Sequence, residues 1–318
     1  MSDLMKAVFI NQYGSHQLLQ YGDVPKPQIK PNQLLVKVRA SSVNPVDWKI
    51  RSGHLSLITG NNFPMILGFD VSGEVVEVGN RVTRFQSGDN IYAYLDSIPG
   101  GAYAEYAAVS EKVACLKPNN MNYEQAATVP LAALTALQAL RDLGQIQRGH
   151  HVLINGASGG VGSFGVQIAK AIGCEVTAVC SAKNAELVKS LGSDRIIDYT
   201  TSNFTQTPER YDIILDAVGK QSFASCESIL QPHGVYISTL PTPDNIIPTI
   251  LTFLLPGKKA KFVLAQSNGW DLAYLKDLIE ADKLRTVIDR TFSLSEVAAA
   301  HAYSEEGRVV GKLAIAVP

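Results

Sequence analysis

Asn155-Gly-Ala-Ser-Gly-Gly-Val-Gly162 decides the fold of this chain because of what flanks it. Ahead of it runs His151-Val-Leu-Ile154, a short apolar strand, and behind it Ser163-Phe-Gly-Val-Gln-Ile-Ala-Lys170, with apolar residues at helical spacing. Strand, glycine turn and helix start together form the first crossover of a dinucleotide-binding βαβ unit. Glycines allow the turn and let the backbone approach a pyrophosphate, which the positive end of the helix then stabilises. The usual first glycine is replaced, so the pattern reads Ala157-x-Gly159-x-x-Gly162. A second strand, Glu175-Val-Thr-Ala-Val-Cys180, follows at the required distance. This reading assigns Ala157, Ser158, Gly159, Gly160 and Val161 to the cofactor site.

Working outward, regular α/β alternation continues. Helices are expected over about 183–191 and 220–230, and strands at Arg195–Asp198, Asp212–Asp216 and Gly234–Ser238. That order implies a doubly wound parallel sheet. Upstream, the chain is β-rich and broken by Gly and Pro. Strands are expected at Lys6–Ile10, Gln33–Arg39, Val71–Val78 and Asp89–Leu95, which suggests a small barrel. Between the two lies the nearly apolar helix Leu131–Leu140. Downstream come a strand at Lys261–Ala265, helices over about 270–281 and 295–302, and a last strand, Gly311–Val317, that returns to the first domain.

Composition sets limits. The chain has 318 residues, enough for two domains and a sizeable core. With 28 Lys+Arg against 29 Asp+Glu, no global field recruits nucleic acid or a membrane surface. Its longest apolar run, around Ile246 to Leu255, is too short to span a bilayer and contains Pro248. Cys115, Cys174, Cys180 and Cys226 have neither disulfide-framework nor metal-site spacing and read as buried thiols. The start lacks a signal or transit pattern, so a cytoplasmic protein without membrane insertion is expected.

Several separated segments resemble the medium-chain dehydrogenase/reductase superfamily. They are Val75-Val-Glu-Val-Gly79, Arg84-Phe-Gln-Ser-Gly-Asp89, Gly101-Ala-Tyr-Ala-Glu-Tyr106, Thr128 to Leu140, the glycine turn and Gly311-Lys-Leu. Ser42-Val-Asn-Pro-Val-Asp-Trp-Lys-Ile50 is similar to plant chloroplast quinone-oxidoreductase homologues and enone reductases, in the zinc-independent branch. The resemblance implies a GroES-like β-barrel catalytic domain over 1–124 and a Rossmann NADPH-binding domain over 125–260. Residues 261–318 would form a segment returning to the catalytic domain. Relatives also join two sheets across a two-fold axis, which implies a homodimer formed near Gly234–Ser238, read as the sheet edge.

Ligand chemistry argues against metal. A catalytic zinc needs three ligands from Cys, His and carboxylate. Where zinc alcohol dehydrogenases carry a Cys this chain has Asn44, and where they carry Gly-His-Glu it has Gly68-Phe69-Asp70. Asp89 to Glu105 holds no Cys for a structural zinc lobe. At the end of the second strand, NAD-preferring sites place an acid that would repel a 2′-phosphate. Ser181 and Lys183 stand there instead. In related NADPH reductases a Lys here and a Tyr after the next strand hold this phosphate; Lys183 and Tyr199 match, although a solvated surface lysine is the competing reading. Val218, after the Asp212–Asp216 strand, is assigned to the same cofactor site.

No acid/base pair announces itself. Asp47 and Asp70 read either as paired carboxylates or, for Asp70, as a cap on backbone amides. Asn44 matches a residue that binds the nicotinamide ribose in relatives; an Asx turn before Pro45 competes. Thr128 matches a residue beside the nicotinamide, against an ordinary helix N-terminal Thr. Lys49, Trp48 and Tyr94 read as cleft-lining or as plain surface positions, with Asn44, Lys49 and Tyr94 the catalytic candidates. The sum is an NADPH-dependent, metal-free reductase of quinones or of the C=C bond of α,β-unsaturated carbonyls. Its rival is an NADPH-binding structural or regulatory protein without turnover.

Overall fold

The structure, a computed structural model, describes residues 4–318. Among the described residues sixteen strands follow one another. The first eight are β1 Leu4–Ile10, β2 Gln20–Pro25, β3 Gln33–Val43, β4 Met65–Ile66, β5 Asp70–Val78, β6 Asn90–Tyr94, β7 Tyr106–Ser110 and β8 Ala114–Leu116. After them come β9 His151–Asn155, β10 Glu175–Cys180, β11 Arg195–Asp198, β12 Tyr211–Asp216, β13 Leu230–Ser238 and β14 Lys259–Phe262. The last two are β15 Ile288–Ser293 and β16 Lys312–Ala316. The chain divides into two compact units. The first comprises the chain up to Leu131 with Gln266–Glu280 and Ile288–Pro318; the second comprises Ala132–Ala265 and Ala281–Val287.

The first unit is the sheet-rich, GroES-like one. A seven-stranded sheet in the order β15-β16-β3-β5-β6-β8, with β7 also on β3, lies beside a three-stranded sheet β2-β1-β4. β3 alternates buried and half-exposed residues from Gln33 to Ala40, then is buried on both faces from Ser41 to Val43, and so runs longer than its sequence pattern suggests. Val36, Val38, Val71, Val75, Ile91, Leu313 and Ile315 share one core. β16 returns antiparallel to β3, pairing Leu313 with Val43 and Ala316 with Ala40. The end of the chain thereby lies under Asn44.

The second unit is a six-stranded parallel sheet, order β11-β10-β9-β12-β13-β14. The inner strands β9, β10 and β12 are almost fully buried, as a sheet covered on both faces requires. Two expectations fail here. Gly234–Ser238 belongs to β13 and is interior, because β14 pairs outside it and forms the edge. The helix expected over 220–230 is only Phe223–Cys226 followed by a single 3-10 turn, since the chain must reach β13 at Leu230.

A further helix, Pro243–Leu254, contains most of the apolar run around Ile246 to Leu255. Pro243 is tolerated in its first turn, where the missing N–H has no partner in any helix. Its polar side faces inward: Asn245 Nδ2 donates to Ser238 Oγ at 3.1 Å, and Thr252 Oγ1 accepts from the Ala260 amide at 3.0 Å. Ile247, Ile250, Leu251 and Leu254, spaced along one stripe, are exposed.

Candidate functional site

In the second unit the nucleotide candidates lie at the carboxyl ends of the parallel strands. Register places Val179 opposite Asn155, Cys180 opposite Asp198, and Asp216 opposite Asn155. The segments that follow these residues therefore leave the sheet at one end. They carry the glycine turn, Ser181 and Lys183, Tyr199, and Val218. Every sequence-assigned cofactor residue of this unit is thus gathered at the end where open α/β sheets bind ligands.

The turn itself is a backbone cradle. Gly156 has φ +78°, in the left-handed region, and a Cβ there would meet Val218 Cγ2 at 2.5 Å. A Cβ on Gly162 would lie 2.1 Å from the Gly156 carbonyl oxygen, so the helix packs directly on the turn. Gly159 is the N-cap of the helix Gly160–Ile172, whose first amides have no partner within the helix. Such a terminus fits a pyrophosphate. Ala157 is buried, while Ser158 Oγ accepts from Asn184 Nδ2 at 3.0 Å, tying the turn to the segment after β10.

At the position proposed to select the cofactor, Ser181 is buried and Lys183 exposed, and Tyr199 is 62% exposed. Lys183 takes part in no ion pair among the described residues. One acid stands close by. The Asp198 carboxylate accepts from the Thr200 amide at 3.0 Å and its hydroxyl at 2.8 Å, bonds that hold it below the usual carboxylate range.

Asp216 escaped the sequence reading. Fully buried at the end of β12, it accepts from Asn155 Nδ2 (2.8 Å), the amides of Val218, Gly219 and Gln221 (3.2, 3.0 and 2.9 Å), and the Tyr236 hydroxyl (3.0 Å). It fixes the loop that carries Val218. A carboxylate directly after the apolar run Ile213–Leu215 was the available signal.

In the first unit Asn44, Asp47 and Asp70 belong to a buried polar cluster. Asn44 is 1% exposed and precedes the helix Pro45–Arg51. Asn44 heads a capping box with Asp47, and its side chain also bonds beyond that turn: Nδ2 donates to Asp70 Oδ2 at 2.8 Å, and Oδ1 accepts from Lys312 Nζ. Asp70 also accepts from Ser42 Oγ at 2.6 Å, and its other oxygen from the Leu131 amide at 2.8 Å, at the start of the helix Pro130–Gln138. The amide-capping role thus describes Asp70, with the carboxylate at a helix N-terminus where its charge is favoured.

Asp47 accepts from the Asn44 amide at 2.7 Å and the Tyr103 hydroxyl at 2.9 Å, leaving Oδ1 buried and unpartnered. Burial, opposed by those two bonds, pushes its carboxyl up to about 7. His301 Nε2 lies 3.3 Å from the Tyr103 oxygen, and burial followed by the nearby Arg51 charge holds the imidazole down at about 3, hence neutral. Tyr94 sits opposite Asp70 across β5 and β6, its phenol raised to about 12 by burial and then by Asp70 and Asp47. Half-buried Lys49 has its ammonium 5.6 Å from the Trp48 ring and is shifted down by burial. Thr128 is buried at the end of the helix Tyr123–Ala127, its hydroxyl donating to the Gln125 carbonyl at 2.8 Å. Lys312, Tyr103 and His301 were not site candidates in sequence, because their place depends on strands far away in the chain. No three His, Cys, Asp or Glu gather as a metal site among the described residues.

Comparison with known proteins agrees with this architecture. Residues 30–119 match the alcohol dehydrogenase GroES-like domain, and residues 191–315 match the family described as zinc-binding dehydrogenase. The chloroplast envelope quinone oxidoreductase homolog of Arabidopsis thaliana is 35% identical over 323 residues, covering 98% of each chain. The 2-methylene-furan-3-one reductase of Solanum lycopersicum is 36% identical over 322 residues, 98% of this chain and 79% of its own. Among solved structures, the quinone oxidoreductase from Coxiella burnetii superposes with a TM-score of 0.91 at 35% identity, covering 99% of this chain and 100% of its own.

Proposed function

This chain belongs to the quinone oxidoreductase branch of the medium-chain dehydrogenase/reductase superfamily, and on that premise we propose that it is an NADPH-dependent, zinc-independent reductase. Its substrates are quinones or α,β-unsaturated carbonyls. The observation that carries this reading is the turn at Gly156–Gly162, where a Cβ on Gly162 would strike backbone at 2.1 Å. That close packing sets the helix terminus directly on the turn, where its free amides suit a pyrophosphate.

When bound, NADPH supplies the hydride. The chain's own residues hold and orient. The turn and Ser158 seat the pyrophosphate, Ser181, Lys183 and Tyr199 take the 2′-phosphate, and Val218 packs at the turn. Asn44 and Thr128 serve the nicotinamide end. As hydride bonds to the β-carbon of an enone, the C=C pair shifts toward oxygen, and a proton must then reach the α-carbon. Lys49 and Tyr94 are the donors proposed to face the oxygen that gains charge. The reading without zinc rests on donor chemistry: an amide at Asn44, a phenyl ring at Phe69, and an Asp70 whose oxygens serve Leu131, Ser42 and Asn44.

A homodimer is part of the proposal, moved from β13 to the β14 edge, next to which the helix Pro243–Leu254 exposes its apolar stripe. A cytoplasmic location is proposed on four unpaired, buried thiols, which suit a reducing compartment. No helix among the described residues is long and apolar enough to cross a membrane. The deciding experiment follows deuterium from the transferring position of NADPH during enone reduction. Label on the β-carbon is expected. Label on the carbonyl carbon means carbonyl reduction and overturns the enone reading, and no oxidation of NADPH with any quinone or enone overturns turnover itself.

A further inference from the structure

Lys312 is a buried cation that no step above uses. It opens β16 directly after Gly311, whose φ of +74° sets the turn into the strand. Its side chain is 5% exposed, and its ammonium donates to the Val43 carbonyl at 3.0 Å and to Asn44 Oδ1, lying 3.7 Å from Asp70 Oδ2. Burying an ammonium and a carboxylate together is costly, and an apolar pair of the same volume is often at least as stable. The pair therefore calls for an account other than stability.

The geometry of Asn44 supplies one. The two ends of a carboxamide are nearly the same shape, so packing alone does not choose which end is oxygen. Here a cation meets one end and a carboxylate the other. A half-turn of the amide would aim NH2 at the Lys312 ammonium and oxygen at Asp70, turning two attractive contacts into two repulsive ones. The Asp47 carboxylate, also near Lys312, accepts from the backbone amide of Asn44 and not from its side chain, and so does not select the flip. We propose that Lys312 is a positioning residue which, with Asp70, locks the Asn44 amide in one orientation. The lock aims the remaining N–H and lone pair of Asn44 at whatever that residue binds. The inference rests on the proposed cofactor role of Asn44.

The test is a double-mutant cycle of Lys312→Met and Asn44→Ala, read by NADPH affinity and by turnover. Lys312→Met should weaken NADPH binding and lower kcat/KM by about tenfold when Asn44 is present, but by less than twofold when Asn44 is Ala. Lys312→Arg should recover part of the loss. Equal losses in both backgrounds would show that Lys312 acts by another route, and the proposal would fall. A second readout needs no cofactor: exchange of the Asn44 side-chain NH2 protons with solvent, followed by NMR. It should be slow in the native chain and markedly faster in Lys312→Met; unchanged exchange overturns the lock, even should NADPH prove the wrong cofactor. Where Lys312→Met does not fold, because it strands the Asp70 charge, Lys312→Met/Asp70→Asn removes both charges of the pair and carries the same two measurements.

Discussion

Gly162→Ala is the sharpest probe of the nucleotide site, because the structure sets its size. The new Cβ would stand 2.1 Å from the Gly156 carbonyl oxygen, where ordinary contact begins at 3.4 Å, so the turn must open by about 1.3 Å. The nearest atoms are all backbone, of Gly156 and Ala157, and none can swing aside as a flexible side chain would. Overpacking of this kind costs about 1–3 kcal/mol of stability. The larger effect falls on binding. A displacement near 1 Å can cost on the order of a hundredfold where geometry matters, which for binding corresponds to about 2.7 kcal/mol. NADPH titrated by fluorescence should therefore bind on the order of a hundredfold more weakly. Gly165→Ala is the control: on the same helix, its Cβ meets a movable side-chain atom, Leu215 Cδ2, at 3.2 Å. That variant should bind within about threefold of the native chain, since the side chain can yield. If Gly162→Ala remains folded and binds NADPH as tightly as the control, the turn does not hold the pyrophosphate and the site is elsewhere.

Three other expectations follow from the same site. Lys183→Ala should erase a preference for NADPH over NADH of at least about tenfold, worth about 1.4 kcal/mol, as cofactor titrations would show; equal affinities in the native chain would instead point to Asp198 as a ribose ligand. Activity should survive prolonged chelation, and elemental analysis should find no stoichiometric zinc; one zinc per chain would refute the donor-set argument. Light scattering at micromolar concentration should report a dimer that Leu254→Lys weakens, and a monomeric native chain would leave the exposed stripe on Pro243–Leu254 without this explanation.

Local pattern carried much of the fold. The glycine turn, the apolar strands on either side of it and the helix Gly160–Ile172 were legible because each depends on residues within a few positions of one another. The cofactor candidates of the parallel sheet were legible for a related reason: in a βαβ alternation, residues just past strand ends must emerge together. Asp216 was missed although it obeys the same rule, because its role is to bind the loop after it rather than to display a motif.

What remained hidden depended on distance along the chain or on environment. Pro243–Leu254 breaks the usual expectation twice, with prolines in a helix and its apolar stripe outward. Its polar residues are satisfied by Ser238 and the Ala260 amide, partners set by tertiary packing. Likewise β14 takes the sheet edge from β13, since pairing order is a property of the assembled sheet.

The sequence alone placed a glycine turn of the dinucleotide-binding type within a parallel α/β alternation, and set at Asn44 and Phe69 side chains that are not metal-ligand types. Only the tertiary structure decided what Asn44 does with its side chain. Lys312 lies 268 residues further along and reaches it through the antiparallel pairing of β16 with β3. Hydrogen bonds and burial depend on distance in space, whereas periodicity and motifs report distance along the chain. A buried charge that orients one amide therefore becomes visible only when the last strand is laid against the third.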